Sequence, residues 1–251
     1  MSLLAFALFS APALPASAWA GPCAEESFEG ASYLVCTIDP ANSDLRLFWK
    51  NADGAPYRSF SNLADALGAQ EERLIFAFNA GMYQSDFSPL GLYVEDGREL
   101  RPAVTAGMDG PPGKIPNFYK KPNGVFFLGE VGAGILTTED FLRRQPDTRL
   151  ATQSGPMLVI DGQLHPALIP GSSDRTRRSG VGICRDGLVR FALSEGAVNF
   201  HDFARLFRDR LDCPNALFLD GGRGVGLYLP EAGRNDFSWH GGYGPIFGLV
   251  E

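Results

Sequence analysis

The sequence predicts an α+β fold, a single domain with a large mixed or antiparallel sheet and two or three packed helices. Short apolar runs separated by Asp-Gly and other Gly- or Pro-containing turns occupy most of the chain, a pattern typical of strands joined as hairpins. Few segments show helical spacing of apolar residues. The hydrophobic content of 45%, with 19 phenylalanines, is sufficient for an extensive core.

The predicted strands are bounded by clear turn signals. Asp-Gly pairs at 96–97, 161–162 and 186–187 each separate two apolar runs, and Asp-Gly is a strong signal for a two-residue hairpin turn. A further hairpin is predicted around residues 39–42, Asp-Pro-Ala-Asn. The predicted strands are residues 33–38, 45–49, 73–78, 91–94, 99–102, 124–128, 150–152, 157–160, 163–168, 181–184, 188–194 and 216–219.

Three helices are predicted, at residues 62–67, 138–144 and 200–211. The last has the strongest pattern, because its apolar residues recur at helical spacing, Asn199 can cap it and Asp202 lies in its first turn. Residues 105–121 are rich in Gly and Pro and are predicted to be a loop. Loops of this length in compact domains are often functional or mobile.

Residues 1–20 have the features of a secretory signal peptide, an uncharged apolar run that ends in Ala18-Trp19-Ala20. The run contains two prolines and is too short for a membrane-spanning helix, which needs about 20 apolar residues. The expected mature domain is therefore residues 21–251, exported to the periplasm or the outside of the cell.

The four cysteines are Cys23, Cys36, Cys184 and Cys213. An even number in an exported chain predicts two disulfides. Three pairings are possible, and we favour Cys23–Cys36 with Cys184–Cys213 because each pair flanks one local unit. A zinc site is the alternative, but no Cys-x-x-Cys or paired-His spacing supports it. No metal or other cofactor is expected.

The net charge of −7 argues against a nucleic-acid partner, which selects for a basic surface. No basic amphipathic segment suggests membrane binding. The expected partner is a small molecule, and the sequence leaves the oligomeric state open.

Polar residues and glycines follow or precede four of the predicted strands. They are Asn79 and Gly81, Ser154 and Gly155, Arg178 and Ser179, and Asp220, Gly221 and Gly222. If these strand ends meet at one edge of the sheet, they form a pocket with a carboxylate, a guanidinium, amides and exposed backbone N–H groups. Such a pocket suits a phosphate group. The alternative is that each cluster is an ordinary turn, because Asp and Gly dominate turns.

Five motifs follow one another along the chain: NAGMY with PLGLYVEDGRELRP, PNGVFFL, QSGPMLVIDGQLHP, RRSGVGICRDG and NALFLDGG. In this order they resemble the phosphodiester glycosidase family, over residues 73–228. That family includes the lysosomal uncovering enzyme, which removes N-acetylglucosamine from a phosphodiester-linked mannose 6-phosphate. The resemblance implies an exported hydrolase that cleaves a glycosyl phosphodiester, with a sugar-phosphate or envelope-glycan substrate.

The resemblance also implies roles for single residues. Asp220 is the expected catalytic carboxylate, as a base for water or a stabiliser of positive charge. Apart from the resemblance, Glu195 is the expected second carboxylate because it directly follows a predicted strand. Arg178 would bind the phosphate together with backbone N–H groups. The expected substrate-binding residues are Asn79, Gly81, Asn123, Ser154, Gly155, Arg178, Ser179, Gly221 and Gly222. Relatives of the uncovering enzyme have a hydroxyl-rich continuation after this last glycine, whereas this chain has Arg223-Gly224-Val225.

Two other functions fit the same residues. A non-catalytic domain that binds phosphorylated or envelope glycans would need no catalytic carboxylate. A metal-dependent phosphodiesterase would use Asp220 as an oxygen ligand, although no further carboxylates stand clearly at strand ends. His240, in an aromatic and glycine-rich segment, could line a sugar pocket. Residues 222–226 are similar to a dinucleotide loop, but a strand-like run follows where that motif needs a helix, so no nucleotide is expected.

Overall fold

Three antiparallel sheets make up most of the fold, and the computed structural model describes them within residues 21–251. We call them sheets A, B and C and number strands and helices in chain order. In spatial order, sheet A contains β1 (Cys23–Phe28), β2 (Ala31–Ile38), β13 (Val189–Ser194), β12 (Arg178–Ile183), β14 (Asn215–Gly221), β10 (Met157–Ile160) and β11 (Gln163–Leu164).

The other two sheets have five strands each. Sheet B contains β16 (Arg234–Asn235), β15 (Leu227–Leu229), β4 (Leu74–Asn79), β17 (Ile246–Val250) and β3 (Asp44–Phe48). Sheet C contains β6 (Arg98–Arg101), β5 (Tyr93–Glu95), β9 (Leu150–Ser154), β7 (Gly124–Gly129) and β8 (Gly132–Thr137). The predicted α+β class is confirmed, although the strands are divided among three sheets rather than gathered into one.

The three predicted helices are present, and each covers the outer face of one sheet. They are α1 (Phe60–Gly68) on sheet B, α2 (Thr138–Arg144) on sheet C and α3 (Phe200–Arg205) on sheet A. Each begins after a side chain that accepts a hydrogen bond from a first-turn backbone N–H: Ser59, Thr137 and Asn199 respectively. A π-helical turn, Leu206–Arg210, continues α3 to almost the predicted end.

The inner faces of the three sheets meet in one central core. Five phenylalanines from all three sheets contact one another there, with ring centroids 4.9 to 6.3 Å apart: Phe76, Phe78, Phe126, Phe191 and Phe247. Aromatic pairs at such distances prefer tilted or edge-to-face packing, which is what these rings show. The phenylalanine-rich composition is therefore explained by a core that three sheets share.

The three hairpins predicted at Asp-Gly are confirmed as β5–β6, β10–β11 and β12–β13. The turn glycines Gly97, Gly162 and Gly187 have φ of 72°, 81° and 82°, which other residues adopt with difficulty. The hairpin predicted around residues 39–42 is wrong. Strand β2 pairs with β1 and β13 in sheet A, whereas β3 pairs with β17 in sheet B. Both strands place apolar residues in the central core from different sheets, so the connection crosses between sheets.

Both predicted disulfides are present, Cys23–Cys36 and Cys184–Cys213. The first joins directly opposed residues of β1 and β2. The second joins the residue after the end of β12 to the segment just before β14, its neighbour in sheet A. The predicted signal peptide, residues 1–20, lies outside the described residues. In the part that is described, no helix has the length and apolar character needed to cross a membrane. Residues 105–121 contain only two short 3-10 turns, Pro112–Lys114 and Asn117–Tyr119.

Candidate functional site

Four of the predicted site residues lie together where β4, β9 and β14 end and β12 begins. The Ser179 hydroxyl accepts a hydrogen bond from Asn79 Nδ2 at 2.9 Å and donates to the Asp220 carbonyl at 3.0 Å. The Ser154 hydroxyl donates to the Leu219 carbonyl at 3.0 Å. Asn79, Ser154 and Ser179 are buried. They therefore hold the end of β14 in place, and Asp220 is the member of this group that is partly open to solvent.

A β-bulge determines which way the Asp220 side chain points. Ser179 pairs with Asp220, but the next residue of β12, Gly180, pairs with Phe218, so Leu219 is the extra residue. Such bulges redirect side chains at the ends of strands. Leu217 and Leu219 face the central core and Phe218 faces α3. Without the bulge, simple alternation would turn Asp220 toward α3, whereas the bulge places it on the inner face beside Ser179.

The Asp220 carboxylate lies in a niche formed by its own glycine-rich turn. The Gly221 N–H donates to Asp220 Oδ1 at 2.7 Å. The other oxygen lies against Gly224, where a Cβ atom would overlap Oδ2. Burial raises the pKa of Asp220 to about 6, and no charged neighbour in the described part of the chain offsets this shift. A carboxyl group of this kind changes its protonation state near neutral pH, as acid–base catalysis requires.

Two further features border the niche, and the sequence analysis did not assign them. Tyr83, which follows β4, donates its hydroxyl proton to the Gly242 carbonyl at 2.9 Å. Its pKa is raised by burial first and also by the negative charge of Asp220. The backbone of Trp239 is joined to the turn after Asp220 by a hydrogen bond from its N–H to the Arg223 carbonyl, 3.3 Å. Tyr83 belongs to the motif NAGMY, so its position in that motif was the available signal.

Arg178 does not enter this niche, and the prediction that it shares a pocket with Asp220 needs correction. Adjacent residues of a strand point to opposite faces, and Ser179 faces the niche. Arg178 is accordingly only 1% exposed on the α3 side, with its guanidinium 3.6 Å from the ring centre of Phe200. Its Nε donates to the Val198 carbonyl at 2.9 Å. Burial lowers the pKa of Arg178 to about 10, so the group remains charged at neutral pH.

Arg177 is the arginine on the same face as Ser179 and Asp220. Its carbonyl accepts a hydrogen bond from the Gly222 N–H at 2.8 Å, which ties it to the turn after Asp220. Its guanidinium is about one-third exposed and lies 3.7 Å from the Asp236 carboxylate and 4.0 Å from that of Glu195. Its Nε donates to the Ser194 carbonyl at 3.3 Å. Both carboxylate distances are long for ion pairs, so the two terminal nitrogens retain donors for another anion.

Glu195, the predicted partner of Asp220, belongs to an ion-pair cluster. Arg234 contacts the Glu195 carboxylate at 2.5 Å and that of Asp236 at 2.9 Å, and Arg177 approaches both. We call these four residues the Arg177 cluster. The carboxylate of Glu195 is thus committed to guanidinium groups, and none of its hydrogen bonds goes to Asp220.

The remaining predicted residues support the backbone around the site. The buried Asn123 donates from Nδ2 to the Phe118 carbonyl at 2.9 Å and accepts from the Thr138 hydroxyl at 2.8 Å. Gly155 and Gly81 lie so close to Asn123 and to the Gln153 carbonyl, respectively, that a Cβ atom would overlap. Within residues 21–251 there is no group of three His, Cys, Asp or Glu residues that could hold a metal ion.

Comparisons with known proteins connect this geometry to a family. The sequence profile of the family described as phosphodiester glycosidase matches residues 72–243. Protein YigE of Escherichia coli strain K12 is 32% identical over 185 residues, which cover 74% of this chain and 70% of YigE.

Two solved structures share the fold. The catalytic domain of zebrafish N-acetylglucosamine-1-phosphodiester alpha-N-acetylglucosaminidase, auto-inhibited by its pro-peptide, superimposes with a TM-score of 0.62 at 15% identity, covering 90% of this chain and 81% of that domain. A putative exported protein of Burkholderia pseudomallei gives a TM-score of 0.54 at 14% identity, covering 87% of this chain and 74% of the other. The family profile, which spans most of the chain and includes Asn79, Ser179 and Asp220, shows that the protein belongs to the phosphodiester glycosidase family.

Proposed function

We propose that the protein is an exported hydrolase that cleaves a glycosyl phosphodiester at the bond between the sugar carbon and the phosphate oxygen. The observation that supports it most directly is Asp220, a desolvated carboxylate at a strand end, lined by glycine backbone, in a chain of this family. Turns that serve only to reverse the chain do not need a carboxylate with a raised pKa.

In the proposed reaction, Asp220 acts as the base for water. The water oxygen forms a bond to the anomeric carbon while its proton moves to the Asp220 carboxylate, and the electron pair of the broken C–O bond stays on the phosphate oxygen. The departing phosphomonoester is a weak base, so protonation by a general acid contributes less than in an ordinary glycosidase. With a pKa of about 6, Asp220 is mostly ionised at neutral pH, as a base must be.

We assign phosphate binding to Arg177 rather than to Arg178. Arg177 lies on the face of the sheet that carries Asp220, it is joined to Gly222, and its pairs with Glu195 and Asp236 are long. A guanidinium is well suited to two oxygens of one phosphate. In this proposal Glu195 holds Arg177 and Arg234 in position and is not the second catalytic carboxylate.

We further propose that the sugar ring stacks on Phe237 and Trp239. These side chains are 59% and 69% exposed, and their ring centres are 4.6 Å apart. Trp239 is joined to the turn after Asp220 through Arg223. Exposed aromatic faces of this kind offer an apolar surface for the C–H groups of a sugar. His240 is the residue after Trp239 and belongs to the same exposed segment.

Export is part of the proposal. Two disulfides form readily in oxidising compartments and are rare in the cytosol. The solved Burkholderia structure is described as a putative exported protein, which is consistent with the same compartment. Fractionation of cells that express the full chain, with the disulfides assayed by thiol labelling, tests this part separately.

The decisive experiment is hydrolysis in water enriched in ¹⁸O. The first substrate is an N-acetylglucosamine 1-phosphodiester, the compound class in the name of the zebrafish relative. Cleavage at the sugar carbon places the label in the sugar and leaves the phosphomonoester unlabelled, as ³¹P NMR detects. We expect Asp220→Asn to lower kcat by about 10²–10⁴, the usual contribution of a general base. Asp212→Asn, at an exposed surface pair with Arg185, is the control.

Other results would point to other functions. Label in the phosphate, with loss of activity in a chelator, would identify a metal-dependent phosphodiesterase. Saturable binding of the diester without turnover of any glycosyl phosphodiester would identify a glycan-binding domain. An Asp220→Asn variant that matches the control in kcat would remove Asp220 from the mechanism.

A further inference from the structure

A cavity of about 520 Å³ lies on the α3 side of sheet A, on the face opposite the Asp220 carboxylate. Its walls come from the long loop at residues 107–121, from the segment after β11 and from the start of α3. Apolar side chains dominate it, among them Tyr119, Leu168 and Phe200. Its volume falls within the range of small-molecule sites, about 300–1,000 Å³. The proposed hydrolysis does not use it.

His165 contributes a buried donor to this cavity. Its side chain is 1% exposed and lines the cavity wall. The Ala167 N–H donates to His165 Nδ1 at 3.1 Å, so in the neutral ring the proton is on Nε2. His165 Nε2 is buried and has no hydrogen-bond partner within residues 21–251. The Lys121 carbonyl is close enough to favour the protonated ring but makes no hydrogen bond of acceptable geometry with Nε2, so an acceptor from a ligand would complete the N–H.

Lys120 supplies a second donor and a positive charge at the same end of the cavity. Its ammonium donates one proton to Asn117 Oδ1 at 2.7 Å and lies 5.4 Å from the ring centre of Phe200. An ammonium has three donors, so two remain. Its charge is close enough to His165 to lower the pKa of that ring, after burial, which is the larger cause. Both residues line the same cavity.

Charged side chains of both signs line the cavity: Lys120 and Lys121, with Asp109 and Asp174. Asp174 lines the cavity and is largely exposed, and its carboxylate is 3.5 Å from the buried guanidinium of Arg178. The neighbouring Lys121 is already committed to Asn123 and Glu139. Of the two lysines that line the cavity, Lys120 is therefore the one with donors left for a ligand.

We propose that this cavity binds a small organic anion that joins a phosphate or carboxylate head to an apolar body. The head accepts hydrogen bonds from His165 Nε2 and Lys120 Nζ. The apolar body lies against Tyr119, Leu168 and Phe200. The long glycine- and proline-rich loop, which has no regular strand or α-helix, forms the outer wall of this binding site.

Isothermal titration of the full chain with four probes tests the proposal: phenyl phosphate, benzoate, inorganic phosphate and benzyl alcohol. We expect one-to-one binding of phenyl phosphate, benzoate or both, at least about tenfold tighter than either inorganic phosphate or benzyl alcohol. Comparison of phenyl phosphate with benzoate identifies the preferred head group.

Two variants separate the donors. His165→Asn keeps an acceptor for the Ala167 N–H but lacks the distal N–H, and Lys120→Met keeps the apolar stem but lacks the charge. Each should weaken binding of the preferred anion about tenfold or more. Lys50→Met is the matched control, because Lys50 lies over Trp49, outside the cavity. Thermal unfolding checks that each variant is folded.

Asp220→Asn should bind the preferred anion as the wild type does, which keeps this test independent of the proposed hydrolysis. The proposal is overturned if neither anion binds more tightly than both inorganic phosphate and benzyl alcohol. It is equally overturned if Lys120→Met, folded and compared with Lys50→Met, binds without loss.

Discussion

At the scale of single residues, burial alone changes the chemistry of Asp220. The folded protein holds the proton of this carboxyl up to about pH 6, whereas an unfolded chain releases it near pH 3.8. Between these values the unfolded state has lost the proton and the folded state has kept it. Asp220 therefore lowers the free energy of unfolding as the pH rises. The total decrease is about 3 kcal/mol, because each unit of difference between the folded and unfolded pKa corresponds to 1.36 kcal/mol.

This predicts a pH-dependent difference between the wild type and Asp220→Asn. The asparagine variant should gain stability relative to the wild type as the pH rises from about 4 to about 7, and approach a constant difference above that. Urea denaturation of both proteins at each pH measures it. A difference that stays constant across this range, or that changes in the opposite direction, would show that Asp220 is not desolvated.

Arg177 and Arg178 are neighbours in sequence with opposite predicted roles. Arg178→Met removes the buried guanidinium that donates to the Val198 and Asp174 carbonyls and lies over the Phe200 ring, and it should lower the free energy of unfolding by about 3 kcal/mol. Arg177→Met removes two long, partly exposed ion pairs and a long hydrogen bond to the Ser194 carbonyl, and it should cost about 1 kcal/mol or less. It should instead raise KM or lower kcat for the diester by about 10²-fold. Denaturation and steady-state kinetics on both variants decide between these assignments.

These two arginines also show the limit of the sequence at this scale. The two motifs that contain Ser179 and Asp220 identified residues that the structure does bring together. Which arginine faces them depends on where β12 begins and on the bulge at Leu219. Neither the start of β12 nor the bulge can be recognised from a local sequence pattern. A cluster of arginines before a strand does not indicate which side chain will point to which face of the sheet. The exposed pair Phe237 and Trp239 was likewise unassigned, because only the fold carries it to the end of β14.

At the scale of elements, the turn after β14 shapes the niche. It continues from Asp220 through a 3-10 turn, Gly222–Gly224. Gly224 is needed for space, because a Cβ atom there would overlap Asp220 Oδ2. Gly224→Ala should displace the carboxylate and lower kcat about 10²-fold, since misplacement of a catalytic group by about 1 Å can have that effect.

The control for this substitution is Gly68→Ala. Gly68 ends α1, where a Cβ atom would meet no atom within 4 Å. Steady-state kinetics should show wild-type kcat for this variant. If Gly224→Ala hydrolyses the diester as fast as Gly68→Ala, the carboxylate position seen here is not the one used in the reaction.

Elements with strong local signals were predictable and those with tertiary causes were not. Asp-Gly turns and capped helices form from interactions within a few residues, and they were found in their predicted places. Strand β1 was missed because its residues are largely polar, with only Cys23 buried. The pairing partners of β2 and β3 could not be inferred from the residues between them. Each strand pairs in the sheet where its apolar side chains contribute to the inner face, and that depends on strands that are distant in sequence.

At the scale of the whole molecule, the three sheets form one cooperative core. Phe191 in sheet A contacts Phe76 in sheet B and Phe126 in sheet C, so no sheet buries its inner face alone. The composition predicted a large apolar core. The division into three sheets could not be predicted, because it follows from how long-range strand pairs share that core, and no sequence window contains such pairs.

The two disulfides act on the molecule as a whole through the unfolded state. They close loops between residues 13 and 29 positions apart. In the chain-entropy account, loss of such cross-links lowers the free energy of unfolding by about 3.0 and 3.6 kcal/mol respectively at 25 °C. The double variants Cys23→Ser/Cys36→Ser and Cys184→Ser/Cys213→Ser should therefore both be destabilised, the second slightly more.

Burial does not change this order, because all four cysteines are buried. Cys23–Cys36 lies at the edge of sheet A, between β1 and β2, whereas Cys184–Cys213 lies beside α3 and the central strands β12 and β14. Cys23 and Cys36 are as buried as Cys184 and Cys213, so the serine hydroxyls of both double variants carry a desolvation cost. Urea denaturation of the two variants measures both losses. A larger loss for the edge disulfide would mean that β1 contributes more to the folded state than its largely polar sequence indicates.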